Sequence, residues 1–234
     1  MFPPDASIHR HPIVLVHGAW AGEWCWLPVL EPLRSSGRSV FCPSLTGHGS
    51  KIHLGGPEVN LSAHVSDVVG VVTTYDLHDV TLVGHSYGGR VITRVASVIA
   101  DRVSSMVFVD AHTPIAPDSG IPQEWTEAAS DTGMFPMLGY DFPPSLVGGD
   151  EGVAWIEARL AFQSLASFTE PWQTDLPDSA RKTFVHATLN TPSRFTPYAK
   201  AAKARPDWNY HEIDGHHYLM FSHPKDLAEI LLSA

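Results

Sequence analysis

Residues 80–92 read Val-Thr-Leu-Val-Gly-His-Ser-Tyr-Gly-Gly-Arg-Val-Ile. An apolar run enters a bend built on Gly84, Ser86 and Gly88 and leaves into a second apolar stretch. Strand, bend and helix in that order are the context of a nucleophile elbow. Glycine suits the flanks because so tight a bend leaves no room for a Cβ and demands conformations that side chains resist. The expected product is a Ser86 hydroxyl lifted above a sheet edge, over a helix N-terminus. A serine hydroxyl alone is a weak nucleophile. It needs a base within hydrogen-bonding reach, a group that orients the base, and donors for a developing oxyanion.

On such bends the acid and then the base follow the serine in the chain. The base is therefore sought far downstream, in Asp214-Gly215-His216-His217-Tyr218, where either histidine could serve. His211, inside a strand pattern, and His223, at a helix start, read as structural. Asp110 closes the run Val107-Phe108-Val109 and would lie at the same sheet edge as Ser86. Its rivals for the orienting acid are Asp175, Asp178 and Asp207. The other usual place for that acid, the loop Thr188-Leu189-Asn190-Thr191, holds no carboxylate, which favours Asp110. Oxyanion donors are expected from the backbone N–H of Tyr87, next to the serine, and of Ala19 in His17-Gly18-Ala19-Trp20. His17 is expected to hold that loop in shape.

The elements that must position these groups alternate along the chain, the signature of an α/β fold with a mostly parallel sheet. Strands are expected at Ile13–Val16, Ser39–Cys42, Val80–Val83, Ser105–Val109, Thr183–Ala187 and Asn209–Ile213. Helices are expected at 24–34, 61–72, 86–99, near 196–204 and from Pro224 to Leu232, where an early proline suits a helix start. Residues 112–178 break the rhythm with proline, glycine and aromatics around one helix, about Glu151 to Phe168. That stretch reads as a lid inserted into a single domain spanning 1–234.

With 234 residues, 44% of them hydrophobic, the chain is long enough for one full core. A formal net charge of −10 argues against nucleic acid or an anionic membrane as partner. Cys25 and Cys42 are the only cysteines, so no disulfide framework is expected. The 14 histidines show neither His-x-x-x-His on a helix nor zinc-type spacing, so no metal is expected. The polar N-terminus lacks a secretory signal's apolar core, and no run is long enough to span a membrane. A soluble cytoplasmic protein is the expectation.

Five segments jointly carry a resemblance: HGAWAGEWCW (17–26), PSLTGHGS (43–50), LVGHSYGG (82–89), VFVDAHTP (107–114) and GHHYLMFSHP (215–224). From about Ile13 to Leu232, and least in the lid, the chain resembles the α/β-hydrolase superfamily. It is most similar to the small esterases related to plant methylesterases and hydroxynitrile lyases, in their microbial branch. Related chains place proline seven residues after the catalytic histidine; counting back from Pro224 reaches His217. Plant members carry the acid where this chain has Asn190. Haloalkane dehalogenases and zearalenone-type lactonases instead separate nucleophile and acid by 24 residues, the spacing from Ser86 to Asp110 (110 minus 86). Hydroxynitrile lyases follow the histidine with lysine; here it is Tyr218.

The resemblance and the residues together imply a cofactor-free serine esterase. Ser86 would attack, His217 act as base and acid, Asp110 orient it, and Ala19 and Tyr87 hold the oxyanion. The partner expected is a small or aromatic apolar ester, with a homodimer left open. Trp20, Trp24, Trp155 and Tyr218 are the expected substrate contacts. Trp26, Trp125, Phe135, Tyr140, Phe142 and Phe162 are further aromatics near the oxyanion loop or in the lid. A lactonase or a carbamate or amide hydrolase on the same triad is the first alternative. A cyanohydrin lyase or a ligand receptor on the same fold is the second.

Overall fold

A computed structural model describes residues 11–118, 120–138, 142–190 and 193–234. Six strands form one parallel sheet: β1 (Ile13–Val16), β2 (Val40–Phe41), β3 (Val80–His85), β4 (Val103–Val109), β7 (Arg181–Ala187) and β8 (Trp208–Ile213). A separate antiparallel pair, β5 (Met134–Phe135) and β6 (Gln163–Ser164), lies in the segment between β4 and β7 where the lid is expected. The order across the main sheet is β2-β1-β3-β4-β7-β8. The chain thus reverses direction across the sheet between β1 and β3, and open α/β sheets bind ligands outside the strand C-termini at such a point.

The strands are continuous apolar runs because both faces are covered. Every residue of β1 and β3 is buried. Alternation divides them between two cores. Val14, Val16, Leu82, Phe108 and Phe184 pack with α2 (Leu61–Thr74), α3 (Gly88–Val98) and α8 (Thr196–Lys203). Ile13, Leu15, Val83, Val107 and Val185 face α1 (Leu27–Ser35), the short α9 (Leu219–Ser222) and α10 (Pro224–Ser233). Asn60 caps α2 through its side-chain oxygen, which accepts from the Ala63 amide at 2.9 Å. Among the described residues, no helix is long and apolar enough to cross a membrane.

Three expected elements are corrected. The stretch 24–34 is a 3₁₀ turn at Glu23–Trp26 followed by α1, with Pro28 in its first turn. The expected strand Ser39–Cys42 pairs only over Val40–Phe41. The single lid helix expected from Glu151 to Phe168 is broken. Besides α4 (Gln123–Ala128) and α5 (Pro144–Val147), the lid contains α6 (Asp150–Glu157), then β6, then α7 (Ala166–Thr169). Long-range bonds explain the break. The Ala161 amide donates to the Trp20 carbonyl at 2.8 Å, and Gln163 pairs with Phe135. Tertiary partners for the backbone outweigh local helix propensity here.

Arg90 on α3 anchors the segment between β4 and β7. Its side chain is 1% exposed and bridges to Asp118 at 2.8 Å and to the Phe168 carbonyl at 3.2 Å. Its guanidinium lies about 5 Å from the rings of Phe168 and Trp172, and Trp172 donates to the other Asp118 oxygen at 2.9 Å. Breaking a buried pair costs roughly 3 kcal/mol, or about 6–12 °C for a domain of this size. Arg90→Ala is expected to lower the thermal midpoint by that amount in calorimetry. A shift under about 2 °C would show that this network does not hold the lid.

Candidate active site

The strand C-termini present the groups in a row. Ala19 follows β1, Ser86 follows β3, Asp110 follows β4, Asn190 follows β7, and His217 follows β8, at the edge of the sheet. Short connections from neighbouring parallel strands are what bring residues over a hundred positions apart together.

Ser86 sits at φ 56, in the left-handed region. Its N–H donates to the Val109 carbonyl, while its own carbonyl accepts from Gly89 and His112 at 3.1 and 3.2 Å. Glycine is required around it. A Cβ on Gly84 would lie 2.6 Å from the Gly88 oxygen, and one on Gly18 would lie 2.9 Å from the Ser86 Cβ.

His217, rather than His216, enters the site. Its Nδ1 donates to Asp110 Oδ2 at 2.7 Å, which leaves Nε2 as the basic nitrogen. Its ring stacks on Phe195 at 4.7 Å and 12°, and its carbonyl accepts from His85 Nε2 at 3.0 Å. Asp110 is fully buried, at φ 40. The same Oδ2 accepts from Asn190 Nδ2 at 2.7 Å. So the loop without a carboxylate contributes a donor to the one that exists. The rivals Asp175, Asp178 and Asp207 lie beside a different surface depression.

A cavity of about 160 Å³ opens here. Ser86 and His217 line it with Ala19 and Tyr87. Neither the Ala19 nor the Tyr87 amide donates to another group among the described residues. His17 Nδ1 donates to the Gly18 carbonyl at 2.8 Å, while its Nε2 accepts from the Leu45 amide at 3.1 Å. Gly18 C=O and Ala19 N–H belong to one planar trans peptide, so fixing the carbonyl fixes the opposite direction of the amide. The remaining wall is largely aromatic, with Trp20, Trp125, Phe168, Phe195 and Tyr218.

Of the expected substrate contacts, Trp20 and Tyr218 line this cavity, while Trp24 and Trp155 do not. Trp24 instead packs edge-on against Trp155 and stacks on Phe221. Trp24 belongs to the core on the α1 and α10 side of the sheet, and Trp155 is partly exposed. Trp26, Phe135 and Phe142 are buried beside the site without lining it, and Phe162 is exposed. Tyr140 lies outside the described residues. Sequence reasoning missed Phe195, His112 and Gln163. Phe195 and Gln163 come from segments with no motif, and His112 lies two residues after Asp110, where the carboxylate is the stronger signal.

Five histidines around the site are held neutral by burial. Desolvation lowers His17, His85 and His112 well below the ordinary value and also lowers His48. His64 falls to about 3, through burial first and then the neighbouring His48. It accepts from the Tyr87 hydroxyl at 2.8 Å. In the unfolded chain these rings titrate near 6.5. Stability from keeping them neutral is therefore fully present above about pH 6.5 and is lost as pH falls toward 3. The urea midpoint is expected to fall steadily between about pH 6.5 and 4.5. A flat profile across that window would contradict the neutral assignment.

Among the described residues, no cluster of three or more metal-ligating side chains is present. Chemically, the arrangement can deprotonate a serine, place it against a carbonyl and stabilise the resulting negative oxygen.

Comparison with known proteins finds relatives at several ranges. The model of the alpha/beta hydrolase family matches residues 13–230. The carbendazim hydrolyzing esterase of Nocardioides sp. (strain SG-4G) is 36% identical over 93% of this chain and 97% of that protein. Methylesterase 3 of Arabidopsis thaliana is 33% identical over 44% of this chain and 40% of its own length. An extracellular alpha/beta-hydrolase from a Paenibacillus species superposes with a TM-score of 0.77 at 23% identity, covering 96% of this chain and 99% of the other.

Proposed function

The chain belongs to the alpha/beta hydrolase family and is an esterase, and from that premise we propose that Ser86, His217 and Asp110 cleave small esters through an acyl-enzyme. The observation that carries this reading is the 2.7 Å bond from His217 Nδ1 to Asp110, with His217 and Ser86 on one cavity wall. His217 Nε2 takes the hydroxyl proton as Ser86 Oγ attacks the ester carbonyl. Asp110 holds the imidazole in the required tautomer and offsets the charge it gains. The amides of Ala19 and Tyr87 bind the oxyanion. His217 then protonates the departing alcohol, and water releases the acid by the reverse sequence.

The substrate class is a small ester or carbamate bearing a flat apolar group. Two observations support it. The cavity is walled by Trp20, Trp125, Phe168 and Phe195, and the relative matched over nearly its full length hydrolyses carbendazim, the methyl carbamate of an aromatic heterocycle. A methyl carbamate follows the same steps, losing methanol and then the carbamic acid. Cyanohydrin cleavage is disfavoured because Tyr218 stands where that chemistry places lysine, and no lysine lines the cavity.

Two substitutions test the reading with p-nitrophenyl acetate and with carbendazim. Ser86→Ala is expected to reduce kcat/KM by at least about 10⁴-fold. Asp110→Asn is expected to cost about 10⁴-fold in kcat with the fold intact, because the imidazole loses its orienting charge and tautomer. Wild-type turnover by the first would exclude Ser86 as nucleophile. An unchanged rate in the second would move the orienting role elsewhere.

A further inference from the structure

We propose that Gln163, carried by the lid, is a positioning residue for the oxyanion donor of Ala19, so that lid seating and oxyanion-hole assembly are one event. The inference rests on the serine-esterase reading above and adds a residue to it.

Gln163 is fully buried. Its Oε1 accepts from the Trp20 backbone amide at 3.2 Å and from His48 Nε2 at 2.8 Å. Its Nε2 donates to Ser167 Oγ at 2.6 Å, and that hydroxyl donates in turn to the Ser164 carbonyl at 2.7 Å. The orientation of the amide follows from these partners. A backbone N–H can only donate, so the oxygen must face Trp20.

The oxyanion loop leaves β1 through successive peptides, each clamped. His17 holds the Gly18 carbonyl, which sets the plane carrying the Ala19 N–H. The next peptide presents the Ala19 carbonyl to the Ala21 amide at 2.7 Å and the Trp20 N–H to Gln163. The one after presents the Trp20 carbonyl to the Ala161 amide at 2.8 Å. Two of the clamps come from residues 161–163 of the lid. They hold Trp20 at φ 60, a conformation that a large aromatic residue resists. Without Gln163, the Trp20 N–H would be a buried donor with no acceptor, and the strained residue would have reason to relax. Relaxation there rotates the peptide next to the Ala19 donor. A donor displaced from the oxyanion costs transition-state binding and leaves ground-state binding nearly untouched.

Gln163→Met removes the acceptor at nearly constant length, Gln163→Glu retains acceptor oxygens, and Gln163→Asn withdraws the amide by one methylene. Each full-length variant is assayed for kcat and KM on p-nitrophenyl acetate, and for inhibition by a trifluoromethyl ketone, whose serine adduct carries the oxyanion. Gln163→Met and Gln163→Asn are expected to lose roughly 10- to 100-fold in kcat with KM within about twofold, and to lose ketone affinity in parallel. Gln163→Glu is expected to retain at least about tenfold more kcat than either. Three results overturn the inference: a Met variant with kcat and ketone affinity within about twofold of wild type, a Glu variant as impaired as the Met variant, or, should Met fail to fold, equal kcat for Asn and Glu. Ser86→Ala separates the two levels. If it turns over normally, both readings fall. If it is dead while Gln163→Met is wild-type-like, the positioning role alone falls.

Discussion

The close approach of backbone to backbone at the elbow is the constraint on which the rest depends. Between β3 and α3 the chain turns within a single residue, and Ser86 takes a left-handed conformation to do so. Such a residue carries strain of about 1–3 kcal/mol and persists only where its surroundings fix it. Here the surroundings are neighbouring strand ends. Val109 accepts the Ser86 N–H, and His112 donates to its carbonyl. A Cβ on Gly89 would come within 2.1 Å of the His112 oxygen, and one on Gly88 within 2.6 Å of the Val16 oxygen. The elbow therefore touches both β1 and the turn after β4, and the same contacts that hold the serine also locate the oxyanion loop and Asp110.

A second constraint is electrical. His17, His48, His64, His85 and His112 cluster behind or beside the candidate site, all desolvated. Neutral imidazoles give this shell directional bonds without adding charge. A cation beside His217 would oppose the imidazolium that the proposed acyl transfer requires; a neutral His85, its ring centre 4.4 Å away, does not. The shell also satisfies loop backbone that would otherwise need water, as His17 does for Leu45 and Gly18.

Much of this was legible in the chain, for physical reasons that also explain the gaps. Gly84, Gly88 and the apolar runs around them express a local backbone requirement, and local requirements leave a pattern. Asp110 stood out as a candidate because it ends a buried strand beside the elbow's own, at the sheet edge that Ser86 shares. Choosing between His216 and His217 needed the resemblance, since two adjacent histidines on one loop differ only in which way they face. The lid left no such trace. Residues 151–168 have helical composition, and nothing in their order announces that Ala161 and Gln163 will bond to a loop more than 140 positions earlier. Trp24 and Trp155 misled for the same reason: they do meet, but on each other rather than in the cavity.

The placement of the acid has a consequence for how freely this site can vary. With the carboxylate after β4, the loop after β7 is released from supplying a charge, and Asn190 there serves as a donor instead. A donor on Oδ2 shares that oxygen with His217, fixing the carboxylate's rotation and therefore the imidazole plane. Phe195, a few residues on, then closes against the imidazole face. The β7 loop thus orients the proposed triad through geometry alone, while its residues Asn190, Ser193, Arg194 and Phe195 also line the cavity. A segment that orients His217 and also shapes the cavity wall couples the two: changes that reshape the wall also act on the plane in which the His217 imidazole is held.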